Sequence, residues 1–145
     1  MGAVMLEKII VTPLASIYTQ GGNVLHAMKS SDAGFSGFGE AYFSWIKDGE
    51  VKAWKVHKSM TMNIVVPHGD VRFVFYCSDL KTYREENIGT DRYARLTIPP
   101  GLWFGFKGIG SLGQSLVLNL ANIPHSPSEV ERLEISKIKY DWSCA

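Results

Sequence analysis

Lys55 and His57 stand two residues apart in VKAWKVHKSMTMNIVVPHGDVRFVFY (51–76), a stretch whose other residues read as β-strand. Side chains two apart on a strand share a face, so this pair would set an ammonium beside an imidazole. In an apolar surround both charged forms lose solvation, and both pKa values move toward neutrality. A neutral imidazole beside an ammonium suits proton transfer, with the imidazole as base and the ammonium steadying the charge left behind. The same strand shifted by one residue exposes Lys55 and His57 and buries Trp54 and Val56. Alternation alone leaves both registers open.

The elements that would position the pair are short and β-favouring. Strands are expected at 8–12, 23–28, 39–46, 51–58, 61–66, 71–77, 93–98, 103–108 and 115–122. They are separated by turn chemistry such as Gly21-Gly22, Asp48-Gly49, Pro67-His68-Gly69-Asp70 and Pro99-Pro100-Gly101. Only 81–87 and 128–134 read as short helical turns, and the charged run 129–132 reads as a solvated face. Regular strand spacing of this kind predicts an all-β sandwich or barrel. In it, Ala53, Lys55 and His57 share one face, and three apolar sets form candidate lumen walls. These are Met62, Ile64 and Val66 with Val71, Phe73 and Phe75; Phe104 with Phe106; and Leu116, Leu118 and Leu120.

Composition narrows the class. A chain of 145 residues is expected to form a single domain (1–145) with a core of its own. Its 46% hydrophobic content and formal charge of +1 argue against disorder and against a nucleic-acid surface. Cys77 and Cys144 suit unpaired thiols in a reducing compartment. The N-terminal MGAVMLEKIIVTPLAS breaks its apolar part with an acid and a proline, unlike a signal peptide, and no apolar run approaches ~20 residues. The expectation is a cytoplasmic protein with no membrane partner. GFKGIGSLG lacks phosphate-loop or dinucleotide spacing and reads as a loop.

VLHAMKSSDAGFSGFGEAYFSWI, KAWKVHKSMTMNIVVPHGDVRFVFY, RLTIPPGLWFGFKGIG and LVLNLANIPHSPSEVER together resemble the RmlC-like cupins, the dTDP-4-dehydrorhamnose 3,5-epimerase family. More closely, they are similar to a short branch associated with lipopolysaccharide sugar synthesis. The resemblance spans roughly residues 9–142. It implies an all-β cupin jelly-roll barrel and a homodimer with an exchanged N-terminal strand, here 35–46. It implies action on a nucleotide-linked 4-keto-6-deoxyhexose, inverting C3, C5 or both. The C4 ketone acidifies its neighbours, so a base, an enolate stabiliser and an acid on the opposite face suffice, with no cofactor.

Carried over residue by residue, the family's Arg-Gly-Leu-His-x-Gln falls on Lys52, Ala53, Trp54, Lys55 and His57. Lysine therefore stands at the usual base, and a histidine stands one step along the same face. This assigns His57 as base and Lys55 as enolate stabiliser, with Tyr42, Tyr76 or water as the opposite acid. The family's catalytic tyrosine falls near Leu118, which favours inversion at C3 alone. Its supporting aspartate lies in a C-terminal extension with no counterpart here. Phe38 and Glu40 match the segment that meets the nucleotide base across the dimer, with Tyr42 next on that face. His26, Lys29 and Lys52 are expected at the pyrophosphate. The positions that ligate metal in other cupins read Lys55, His57, Met62 and Phe104, which is no metal site. Two classes stay open: an epimerase or related ketoisomerase, and a nucleotide-sugar-binding cupin that has lost catalysis.

Overall fold

In a computed structural model, which describes residues 2–143, strands dominate. Helix α1 (Gly2–Glu7) precedes β1 (Ile10–Pro13), β2 (Ser16–Ile17), β3 (Val24–Leu25), β4 (Glu40–Lys47), β5 (Val51–His57) and β6 (Met62–His68). There follow β7 (Asp70–Cys77), β8 (Thr82–Gly89), β9 (Ala94–Ile98), β10 (Trp103–Gly108), β11 (Gln114–Ala121) and β12 (Val130–Arg132). Sheet 1 has the order β1-β9-β6-β11-β4 and sheet 2 the order β12-β5-β10-β7-β8, while β2 and β3 form a separate ribbon. From β4 to β7 the chain changes sheet at every strand, and it does so again from β8 to β12, which winds the two sheets into a jelly roll. Cys144 lies outside the described residues; Cys77 is a buried free thiol.

The core fills the space between the sheets. Met62, Ile64 and Val66 from sheet 1 meet Val71, Phe73, Phe75 and Phe104 from sheet 2, as the alternation of β6 and β7 requires. Each fully buried phenylalanine stabilises the fold by about 1.5–3 kcal/mol relative to exposure. The β6–β7 turn is fixed by Gly69, whose φ of 85° suits glycine. A Cβ there would fall 2.0 Å from Ser115 Oγ.

Three expectations are corrected. Residues 82–89 form an edge strand, not a helical turn, because eight register partners on β7 outweigh the local preference of a charged run. Residues 128–134 divide into a 3-10 turn (Pro127–Glu129) and β12, which pairs with β5. On β11 the inward residues are Ser115, Val117, Asn119 and Ala121, all buried, whereas Leu116, Leu118 and Leu120 face outward beside exposed Phe43 and Trp45. The leucines therefore do not line the lumen. Period-two patterning identifies the two sets of side chains, but both faces of β11 are apolar enough to be the inner one.

A bulge refines the face on which Lys55 stands. Along β10, Phe104 opposes Lys55, Gly105 opposes Ala53 and Phe106 opposes Lys52, with the register shifting between Phe104 and Gly105. The shift turns Lys52 and Lys55 to the same side, so Lys52 replaces Ala53 as the inward neighbour. Gly105 permits the close approach, since a Cβ on it would lie 2.5 Å from that of Ala53. Trp54 points away into an outer cluster with Tyr140 and Trp142, and its Nε1 donates to Ile135 O at 3.2 Å.

Candidate active site

Between the sheets lies a cavity of about 390 Å³. Sheet 2 contributes Lys52, Lys55, Phe104, Phe106 and Arg132 to its lining; sheet 1 contributes Tyr42, Ser44, Met62, Ile64, Val117 and Asn119. None of the described lining residues is acidic, so three cations face a space without a counter-ion of its own. A cavity of this charge suits an anionic ligand.

Lys55 pairs with Phe104 across the ladder, and its Nζ lies 5.7 Å over the Phe104 ring. Burial depresses its pKa, Arg132 and Lys52 depress it further, and Glu129 opposes them. His57 is only 3% exposed and does not line the cavity; it stacks at 6.1 Å on Phe104, which does. Its Nδ1 lies 2.5 Å from Glu129 Oε1. Glu129 Oε2 in turn accepts the backbone N–H groups of Ser59 (3.1 Å) and Met60 (3.2 Å). Burial works to raise the Glu129 pKa, but the hydrogen bond from His57 and those from Ser59 and Met60 outweigh it and hold the carboxyl below its ordinary value. For His57, burial prevails over the pull of Glu129 and lowers the pKa.

The consequence is a defined tautomer. A carboxylate only accepts, so the proton of the neutral imidazole resides on Nδ1 and Nε2 keeps its lone pair. Nε2 is buried with no hydrogen-bond partner, the state of a base without its proton source. Glu129 escapes sequence reading because 72 residues separate it from His57, and its charged neighbourhood resembles a solvated face. It is 7% exposed, so the expectation of a solvated run fails at this residue. Val130 opposite His57 and Arg132 opposite Lys55 belong to the same β12 ladder, which also brings Arg132 into the cavity. Arg132, Ser44 and Asn119 were likewise not singled out in the sequence, where nothing local distinguishes them.

The other expected residues scatter. Tyr42 lines the cavity, and its Oη accepts from Asn119 Nδ2 at 3.0 Å. Lys52 lines it too while donating to Trp45 O at 2.7 Å. Tyr76 does not reach it: this ring packs in the outer cluster against Tyr83, which removes it as the acid. His26 and Lys29 border a separate cleft of about 270 Å³ with Asp32. Phe38 is 68% exposed, and Glu40 stands at the start of β4 with Oε1 buried and unpartnered; neither lines the cavity. Among the described residues, no group of three or more His, Cys, Asp or Glu could hold a metal ion. No helix among them is long and apolar enough to cross a membrane.

The structure of a dTDP sugar isomerase from Desulfovibrio desulfuricans G20 matches with a TM-score of 0.88 at 35% identity, over 96% of this chain and 93% of that one. The chain belongs to the RmlC-like dTDP-sugar isomerase and epimerase family. Two further structures share the fold of this RmlC-like cupin. One is a dTDP-4-dehydrorhamnose 3,5-epimerase from Sulfolobus tokodaii (TM-score 0.77, 21% identity, 92% of this chain and 81% of that one). The other is a sugar 3,4-ketoisomerase from Thermoanaerobacterium thermosaccharolyticum in complex with TDP (0.74, 16%, 92% and 94%). No family model matches the cupin, and no curated protein does.

Proposed function

We propose that this RmlC-like cupin inverts C3 of a nucleotide-linked 4-keto-6-deoxyhexose by proton abstraction through an enolate, without a cofactor. One observation carries the reading: Lys55 and Phe104 line one wall of a cationic cavity with the His57–Glu129 pair stacked directly behind Phe104, and a phenol hydroxyl, Tyr42, lines the other. His57 takes the C3 proton at Nε2, Glu129 steadies the imidazolium, and Lys55 faces the developing O4 oxyanion. Arg132 and Lys52 receive the diphosphate. The resemblance implies a carboxylate behind the histidine, and Glu129 supplies one from within the chain. This removes the main ground for a cupin that only binds.

The basis for C3 changes. Leu118 faces outward and leaves no gap in the cavity, so Tyr42, the one phenol among the described lining residues, supports a single centre instead. C3 is preferred because its neighbouring hydroxyl offers Lys55 a second anchor. A second reading is a ketoisomerase: the 35% identical neighbour is a dTDP sugar isomerase, a class that includes both reactions. We extend the proposal to lipopolysaccharide O-antigen sugar synthesis in the cytoplasm, and to a homodimer. β4 pairs along its length with β11 of its own chain. In place of the expected exchange of 35–46, we propose that the β2–β3 ribbon reaches the partner, since it stands apart from both sheets and its Ile17, Tyr18, Val24 and Leu25 are exposed. Phe38, Glu40, His26 and Lys29 would then act in the partner's nucleotide site.

Incubation with dTDP-4-keto-6-deoxyglucose in deuterated water tests the chemistry. Deuterium entering C3 ahead of C5, with an inverted product, supports the epimerase. A 3-keto product assigns the ketoisomerase. Binding without exchange at either carbon overturns the enolate reading.

A further inference from the structure

Asn119 and Tyr42 are direct register partners on β11 and β4, and both line the cavity on the wall of sheet 1. Asn119 is 3% exposed, so its amide is fixed by its neighbours rather than by water. Nδ2 has two acceptors around it: Tyr42 Oη at 3.0 Å and Met60 Sδ at 3.9 Å. A thioether can only accept, which settles which end of the amide points there. The opposite orientation would leave two buried N–H donors unpaired in place of one carbonyl oxygen, Oδ1, now without a partner. With its oxygen occupied as an acceptor, the Tyr42 hydroxyl has its own proton left to give, and the cavity is where a ligand would meet it.

We propose that Asn119 is a positioning residue: it holds Tyr42 Oη as an acceptor and thereby directs the phenol proton at the sugar face opposite His57. This rests on the enolate reading above and adds a source of stereochemistry to it. The C3–H bond breaks with its proton going to His57 Nε2, its electron pair forming the C3=C4 bond as the C4=O π pair moves onto O4. The new C3–H bond forms on the other face with the Tyr42 proton as the enolate electrons return. Solvent then reprotonates the phenolate and accepts the imidazolium proton. When Tyr42 is misdirected, His57 returns its solvent-exchanged proton to the original face. The substrate then takes up deuterium without inverting.

The test is the ratio of C3 inversion to C3 deuterium exchange on dTDP-4-keto-6-deoxyglucose. Asn119→Leu, matched in size and without hydrogen-bonding groups, should lower that ratio about tenfold. In a Tyr42→Phe background the same change should lower it no further, because the two residues act as one unit. If Asn119→Leu does not fold, Asn119→Ala is measured in its place. An unchanged ratio in the single variant, or losses that multiply in the double variant, overturns the role of Asn119 while leaving the enolate reading intact. Absence of any exchange in the unmodified protein overturns both.

Discussion

The two walls of the cavity are built from the same fold and do opposite things. Sheet 2 presents Lys52, Lys55 and Arg132, with the His57–Glu129 pair behind Phe104. Sheet 1 presents Tyr42, Ser44 and Asn119 on an apolar ground of Met62, Ile64 and Val117, with no charge among these. Aligned sheets pack about 10 Å apart, so a sugar ring between them meets charge on one face and neutral donors on the other. Inversion needs that asymmetry, because a base and an acid on the same side would only exchange the proton.

The hardest way to break the comparison is to remove the base. His57→Asn keeps a polar group of similar reach, and deuterium exchange at C3 should fall about 10²- to 10⁴-fold with the melting transition retained. Should exchange persist there and vanish in Lys55→Met, the base is Lys55.

Glu129→Gln is expected to act next. It keeps the shape and removes the charge that fixes the Nδ1 tautomer. Exchange should slow by about 10- to 100-fold, and urea unfolding should show a loss of about 1–3 kcal/mol, since an amide cannot satisfy the imidazole and both backbone N–H groups as a carboxylate does. The pH dependence follows from the same pair. The folded pKa of His57 lies below 6.5 and that of Glu129 below 4.5, so in acid the unfolded chain takes up protons first. Stability should therefore decline as pH falls below 6.5 toward the folded pKa of His57, and again below 4.5 toward that of Glu129. Exchange should show an acid limb below 6.5 as His57 protonates and an alkaline limb below 10.5 as Lys55 loses its proton.

Arg132→Ala and Lys52→Ala sharpen the division within sheet 2. If they hold the diphosphate, each should raise KM about tenfold with little change in kcat, and the salt dependence of kcat/KM should weaken. A fall in kcat of the same size would move them into the chemical step. The smallest effect belongs to Leu118→Ala. This outward residue should change exchange and inversion by less than about twofold, whereas a tenfold loss would return the position to the site.

The strands around the site were legible because β6, β7, β10 and β11 alternate or run apolar between strong turns. Lys55 and His57 were legible because two residues on a strand must share a face. What failed had a common cause. The inner face of β11, the strand at β8 and the bulge in β5 depend on partners far away in sequence. Arg132 and Glu129 came into view only when β12 was laid against β5.

By itself, the sequence determined an all-β fold and a lysine–histidine pair on one strand, because these follow from local periodicity and residue type; the jelly roll and the likeness to sugar-nucleotide isomerases came from its resemblance to a family. Tertiary structure decided which nitrogen of His57 is free and which tyrosine faces the cavity. The first depends on a carboxylate 72 residues away, whose two oxygens are taken by His57 on one side and by Ser59 and Met60 on the other. The second depends on the Asn119–Tyr42 register across two strands. A hydrogen bond between distant residues leaves no period in the chain. Only the pairing of the strands brings its two ends within reach.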